Sequence, residues 1–227
     1  HLNVDDETPL EAKMLTRSIE AAQRKIEGRN FAIRKNVLQY DDVLNRQREI
    51  IYGQRDQVLA GEDISKMIIS MIDEMSKIVV SRFINPGAAK ETWNIEGLRS
   101  YYMGWVLRED ELKFGDENPI DMTYDEIVEF IRKRSQDIRV KHEEILGEEA
   151  SRELERVVLL SNVDEQWMDH IDAMEELKRG INLRAYGQRD PVVEYRVEGF
   201  DMFDAMIETI RENTVKMLLC FKFNIKM

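Results

Sequence analysis

Few residues in this chain of 227 could carry covalent or metal chemistry, and those few are scattered. The histidines are His1, His142 and His170, and the one cysteine is Cys220, so no His/Cys spacing suggests a zinc site. No GxxxxGK[ST] run is present to cradle phosphates. Asp164-Glu165 follows Val163, but the preceding LERVVLLSN belongs to a helical stripe, whereas a magnesium-binding carboxylate normally follows a buried strand. Asp41-Asp42 falls mid-helix and reads most simply as a solvated face. No Ser/His/Asp or Cys/His set has the local context of a nucleophile beside its base. These residues point away from catalysis within this chain and toward contact. The stretch NLRAYGQRDP, Asn182 to Pro191, is where contact chemistry concentrates: Tyr186 sits between Arg184 and Arg189 in a gap in the helical pattern. A tyrosine ring makes dispersion contacts with almost any side chain, and its hydroxyl can hydrogen-bond to any backbone, so it grips a polypeptide without reading its sequence. The plainer alternative is a ring packed back on its own hairpin.

The elements that must position this stretch are helical. TPLE opens the first: Thr8 can cap, Pro9 suits the first turn and Glu11 can close a capping box. That helix is expected over Pro9 to about Asp56. Ile19, Ile26, Ile33 and Tyr40 recur every seven residues, with Val37, Leu44 and Ile51 beside them. At ~1.5 Å per residue such a helix reaches roughly 70 Å, long enough to serve as a beam for separate modules. Gln47, Arg29 and Asn30 interrupt the seam and favour a beam over a coiled coil. Asp63 can cap a helix over Ile64 to Ile84, stopped by Asn85-Pro86-Gly87. Asn94 can cap a short helix through IEGLRSYYMGWVL. Arg108 to Pro119 reads as an acidic loop, and Thr123 with Glu126 as a capping box for a helix to about Leu146. Trp93, Tyr101 and Trp105 are expected in the core of this small middle block. A second long helix after Gly147 carries the apolar face Val157, Leu160, Trp167, Ile171, Met174 and Ile181, with His170 as a buried core histidine. Asp190 and Pro191 start the next, with Tyr195, Phe200, Phe203, Met206, Ile207 and Ile210. Two such helices joined by a short turn make an antiparallel hairpin with Tyr186 at its tip. The closing CFKFNIKM reads as a short strand or an ordered tail.

Bulk composition agrees with an elongated all-α chain. There are four prolines, and none lies between Leu10 and Asn85. A net charge of -12 disfavours nonspecific nucleic-acid binding, which needs surface cations. One local exception is Lys178, Arg179, Arg184 and Arg189, a basic run without an acid among it. The single cysteine excludes an internal disulfide and fits a reducing compartment. No apolar run approaches the ~20 residues of a membrane span, and the first ten residues have no signal-like region. A soluble, cytoplasmic fragment of a longer protein is expected.

AQRKIEGRNFAIRKNVLQYDDVLNRQREIIYGQR, Ala22 to Arg55, resembles the long scaffold helix of the SecA preprotein translocase ATPases. QWMDHIDAMEELKRGINLRAYGQRDPVVEYRVEGFDMFDAMIETI, Gln166 to Ile210, resembles their two-helix finger. TPLEAKMLTRSIEAAQ resembles the junction with the second motor domain, and the middle block matches the helical wing by position. The resemblance implies a scaffold helix over 1–57, a wing over 58–148, a two-helix finger over 149–215 packing on the scaffold, and a tail over 216–227. It implies partners: the motor domains in cis, the SecYEG channel, unfolded preprotein and, at the cytoplasmic face of the bacterial plasma membrane, lipids, with no nucleic acid. It places ATP and magnesium in the parent motor and no cofactor in this chain, which carries neither the motor domains nor the Cys-rich zinc tail. The finger would enter the mouth of the channel, with Tyr186, Arg184 and Gln188 against the moving polypeptide, and would restrain ATP hydrolysis until channel and substrate engage. Contacts with channel or motor would fall to Lys178, Arg179, Arg189, Arg29, Asn30, Arg34, Asp41, Asp42 and Arg48; a solvated face is the alternative for the scaffold residues. Two residues depart from the family pattern: Asn182 stands where relatives often have His, and Gly187 where Ala is common. A competing reading of another class is a free-standing helical coiled-coil protein with no motor, with the 19/26/33/40 row as its dimer seam.

Overall fold

The computed structural model describes residues 8–61, 63–113, 121–184 and 190–221, with side chains from residue 14 and not over 182–184. Among them run six α-helices: α1 Thr8–Leu59, α2 Ser65–Phe83, α3 Ile95–Tyr102, α4 Tyr124–Leu146, α5 Glu148–Arg184 and α6 Pro191–Cys220. A 3-10 turn spans Lys90–Thr92. The described residues contain no strand beyond one isolated bridge between Met103 and Leu107. The expected all-α class holds, and α6 carries on through Cys220 into the stretch expected as a tail.

The helix starts follow the sequence signals. Thr123 Oγ1 accepts from Glu126 N at 3.3 Å while Thr123 N donates to Glu126 Oε2 at 2.7 Å, a closed capping box. Asn94 Oδ1 accepts from Gly97 N at 2.9 Å. Asp190 Oδ1 accepts from Val192 N at 2.9 Å, ahead of Pro191 in the first turn of α6. Asp63 works one step later than expected, accepting from Ser65 N at 2.9 Å, so α2 starts at Ser65 with Ile64 buried before it. Gly147 ends α4 at φ +83°, a left-handed conformation that favours glycine, and α5 follows at once. The Thr8 and Glu11 side chains lie outside the described residues, as do residues 114–120 of the expected acidic loop.

Three expectations need correction. α3 stops at Tyr102 rather than reaching Leu107, because Met103 turns extended and Gly104 takes φ +85°; the Tyr102 carbonyl then accepts from Val106 N and Leu107 N at 3.0 Å, and this turn tucks Val106 and Leu107 into the core. Among the aromatics of the middle block the buried ring is Tyr102; Trp93, Tyr101 and Trp105 are half-buried. Their polar atoms explain this, since each needs an acceptor at the core edge: Trp93 Nε1 donates to Asn85 O at 3.0 Å and Trp105 Nε1 to Tyr101 O at 2.7 Å. On the long helices Val157 and Phe200 are exposed, and Val158 and Leu159 are buried in place of Val157.

The chain divides into two compact units, residues 1–48 with 173–200 and residues 49–172 with 201–227. In the second, Ile68, Ile72, Met75 and Val79 line the buried face of α2, and Ile127 and Ile131 that of α4. Each such burial contributes roughly 1.5–3 kcal/mol. α5 and α6 are antiparallel here: the His170 and Phe203 rings lie 5.8 Å apart, and further along Asn162 Nδ2 is 3.4 Å from Met217 Sδ. α5 also runs antiparallel to α1, through Tyr52 on Trp167 and Arg55 Nε on Asp164 Oδ1 at 3.0 Å. Glu212 ties α6 to α2 and α3: it accepts from Arg82 Nη1 on α2 at 2.7 Å and from Tyr101 OH on α3 at 2.5 Å. Burial and the Glu212 carboxylate push the Tyr101 phenol well above its ordinary pKa.

Where α4 meets α5, Glu155 is 4% exposed and accepts from Arg139 Nε at 2.8 Å and Arg152 Nη1 at 2.5 Å. Arg152 also reaches Glu143 at 2.6 Å. Removing the central carboxylate leaves buried guanidinium charge uncompensated, so Glu155→Ala should cost about 3–5 kcal/mol in urea denaturation. Glu153→Ala, at an exposed i,i+3 pair on the same helix, should change the unfolding free energy by less than about 0.5 kcal/mol.

His170 is buried between the rings of Trp167 and Phe203, and burial lowers its pKa below 6.5. His142 is shifted the same way, burial again being the larger cause, partly offset by its contact with Leu218 O at 3.2 Å. A group whose folded pKa is depressed in this way binds its proton more readily when unfolded. Stability is therefore full above pH ~6.5 and falls as pH drops below it. The thermal midpoint should decline from pH 7 to pH 5, and His170→Phe should flatten that decline, as followed by circular dichroism.

Candidate functional site

The first unit pairs the end of α5 and the start of α6 with the first part of α1. Tyr40 of α1 and Tyr195 of α6 are both buried and meet edge to face, ring centres 4.8 Å apart and planes at 82°. Lys178 of α5 places Nζ 5.4 Å above the Tyr40 ring and 3.3 Å from Asp41 Oδ1. One lysine thus serves a ring and a carboxylate that are neighbours on α1. Burial, with Asp41 and Tyr40 adding, pushes the Tyr195 phenol up to about 12, so both tyrosines are neutral at physiological pH.

A second contact lies one to two turns along. Gln47 is buried, and its Nε2 donates to Gly199 O at 2.8 Å. The same glycine admits a close neighbour: a Cβ there would sit 2.7 Å from Met174 Cε and 3.2 Å from its Sδ. Tyr195 and Gly199 on α6 meet Tyr40 and Gln47 on α1 in rising order, so these two helices run parallel, and Lys178 follows α5 back in the opposite sense. Ile181 near the end of α5 and Val192 in the first turn of α6 are buried. Both helices are therefore packed close to their junction. Tyr186, Gln188 and Arg189 lie in the connection, outside the described residues, and of Arg184 only the helical backbone is described.

The remaining contact candidates separate by environment. Arg29, Asn30, Arg34 and Asp42 are exposed on α1. Arg48 is half-buried, with Nη1 donating to Asn45 Oδ1 at 3.0 Å. Arg179 bonds back to its own helix, to Glu176 at 2.9 Å and Glu175 at 3.2 Å. Among the described side chains, Asp41 is the scaffold candidate joined to the α5 basic run, through Lys178.

Two exposed apolar rows, 31/38 on α1 and 193/197/200 on α6, were not read from the sequence, whereas the heptad row of α1 was. Ile19, Ile26 and Ile33, members of the heptad row, are 50%, 59% and 51% exposed, and Phe31 and Leu38 form a second exposed row seven residues apart. The spacing 31/38 was the available signal. On α6, Val193, Val197 and Phe200 make an exposed apolar row at i, i+4 and i+7. The outer part of α1 thus presents apolar and charged side chains together, a surface suited to covering by further protein. Among the described residues no group of three or more His, Cys, Asp and Glu could hold a metal ion, and no helix is long and apolar enough to cross a membrane.

Comparison with known proteins places this arrangement. The model of the SecA wing and scaffold domain matches residues 9–222. A protein translocase subunit SecA of Syntrophomonas wolfei is 44% identical over 221 residues, 97% of this chain and 26% of the relative. The corresponding proteins of Carboxydothermus hydrogenoformans, at 45% over 218 residues, and Alkaliphilus metalliredigens, at 46% over 217, are covered to 25% and 24% of their length. The chain spans about a quarter of the length of the curated relatives it matches. With the long α1 helix, the α2–α4 block and the antiparallel α5–α6 pair matched end to end, this chain belongs to the SecA family, in its wing and scaffold region.

Proposed function

We propose that this chain is the scaffold, wing and two-helix finger of a SecA-type protein translocase subunit. In that reading it converts ATP-driven movement of motor domains elsewhere in the longer protein into movement of unfolded preprotein through a SecY channel, and it regulates that hydrolysis. The observation that carries the proposal is the family match from residue 9 to residue 222, which takes in α5, α6 and the connection between them. No phosphate loop is present in the sequence, so no step of ATP hydrolysis is assigned to these residues.

The packing of the first unit supports a mechanical role. Tyr40–Tyr195, Lys178–Asp41 and Gln47–Gly199 hold the helix ends beside the connection. A stiffly held pair can transmit displacement to Tyr186, and the ring can push on side chains of any kind. Arg184 and Gln188 would add hydrogen bonds to the substrate backbone, and Arg189 would face acceptors at the channel rim. The exposed rows of α1, with Arg29, Asn30, Arg34 and Asp42, would be covered by motor domains in cis. Association with the membrane surface would be peripheral, through the channel and anionic lipids. Coupling needs two arrangements of the finger whose balance the motor biases.

The coiled-coil reading has a specific difficulty. A dimer seam along 19/26/33/40 would need Tyr40, which is already buried against Tyr195 of its own chain.

In a full-length protein carrying this segment, Tyr186→Ala should lower the rate of ATP-driven preprotein transport by about tenfold, and Tyr186→Phe or Tyr186→Trp much less. Unchanged transport by a folded Tyr186→Ala protein would rule out tip contact. Light scattering on the chain alone should give a monomer that binds separately expressed motor domains; an obligate dimer that ignores them would favour the coiled coil.

A further inference from the structure

The second unit contains a cavity of about 200 Å³ between α1, α2, α5 and α6. Ile51, Leu159 and Ile210 give it an apolar floor, and Met67 and Met71 form a wall that can adjust its shape. Its rim carries Arg55 and Arg211, each already matched to a carboxylate: Arg55 Nε lies 3.0 Å from Asp164 Oδ1, and Arg211 Nη2 2.7 Å from Glu74 Oε2. Ser70, also at the rim, donates to Glu74 at 3.1 Å.

We propose that this cavity is a binding site for a small uncharged amphiphile, a ring or short chain bearing one hydroxyl. The volume fits such a molecule, since an apolar cavity of ~150 Å³ takes up benzene. Neutrality follows from the rim. A charged head group would have to shed its water beside two arginines that already hold their counterions, and no free charge compensates it. A single hydroxyl can instead share the acceptor oxygens of Glu74, the one carboxylate among the lining residues. The ligand touches four helices at once, including α2 of the wing and both finger helices. Its binding therefore stabilises their present packing and is linked to any motion of α2 against α6. This site does not depend on the translocase reading.

The test is titration of the full chain, labelled with carbon-13 at the methionine methyls, with benzyl alcohol. The Met67 and Met71 signals, assigned with Met67→Leu and Met71→Leu, should shift and saturate, while Met103 and Met122 stay in place. Benzoate should bind at least about tenfold more weakly. The thermal midpoint should rise by about 3–5 °C at ten times the alcohol's Kd. Val163→Phe, which fills the cavity, should abolish the shifts. Absence of a saturable shift at Met67 and Met71 overturns the proposal, as does a uniform response of all methionines, benzoate binding as tightly as the alcohol, or shifts that persist in a folded Val163→Phe protein. The wild-type titration decides the matter alone if that variant does not fold.

Discussion

A single amphipathic helix of 52 residues cannot cover its own apolar stripe, and this constraint organises the protein. Along the later part of α1 the stripe is satisfied within the chain: Ile51 and Val58 are buried where α2, α5 and α6 are near, and Tyr40 is buried by Tyr195. From Met14 to Leu38 it is not, and its large apolar side chains stand open. The same helix is a core element over one stretch and an open surface over another. The change falls close to where Lys178 and Tyr195 reach it. Every role assigned to this chain draws on that division between the covered and the uncovered stripe.

Helix starts were legible because capping is local. Thr123 with Glu126, Asn94 with Gly97, and Asp190 before Pro191 each act within three residues, so identity and spacing suffice. Choices between neighbours were not legible. In the run Val157-Val158-Leu159-Leu160, which two side chains face inward depends on the azimuth of α5, and that is set by α1 and α6 rather than by the run itself. Phe200 is apolar and at core spacing, yet it lies on the outer side because Gly199 beside it is the point of close approach to Met174. Gln47 looked like an interruption of the seam. It is buried because a backbone carbonyl 152 positions away accepts its proton, a partner no local pattern reveals.

The candidate site divides in the same way. Residue types alone singled out Tyr186 as a large amphipathic ring in a helix gap, but left its target open. The resemblance of the flanking helices to a translocase finger supplied a target. The structure contributes what neither could, the ring pair, lysine and glutamine that hold the helix ends beside the connection. Lys178 illustrates the shift in meaning: it read as one cation of a basic patch, and it is found between an aromatic face and a carboxylate of α1.

Glu212 has a mechanical meaning. Its two carboxylate oxygens are held by donors from different helices, Arg82 Nη1 at 2.7 Å and Tyr101 OH at 2.5 Å. Two bonds to one planar group, approached from two directions, resist rotation of α6 about its own axis as well as sliding along it. A slide of one turn, about 5.4 Å, would break both together. The α2–α3 block therefore acts on this stretch of α6 as a key acts in a keyway. Together with the neighbouring Arg211–Glu74 pair, it helps fix the direction in which Phe203, Met206 and Ile210 face, so a torque applied to the helix loads a carboxylate as well as the core.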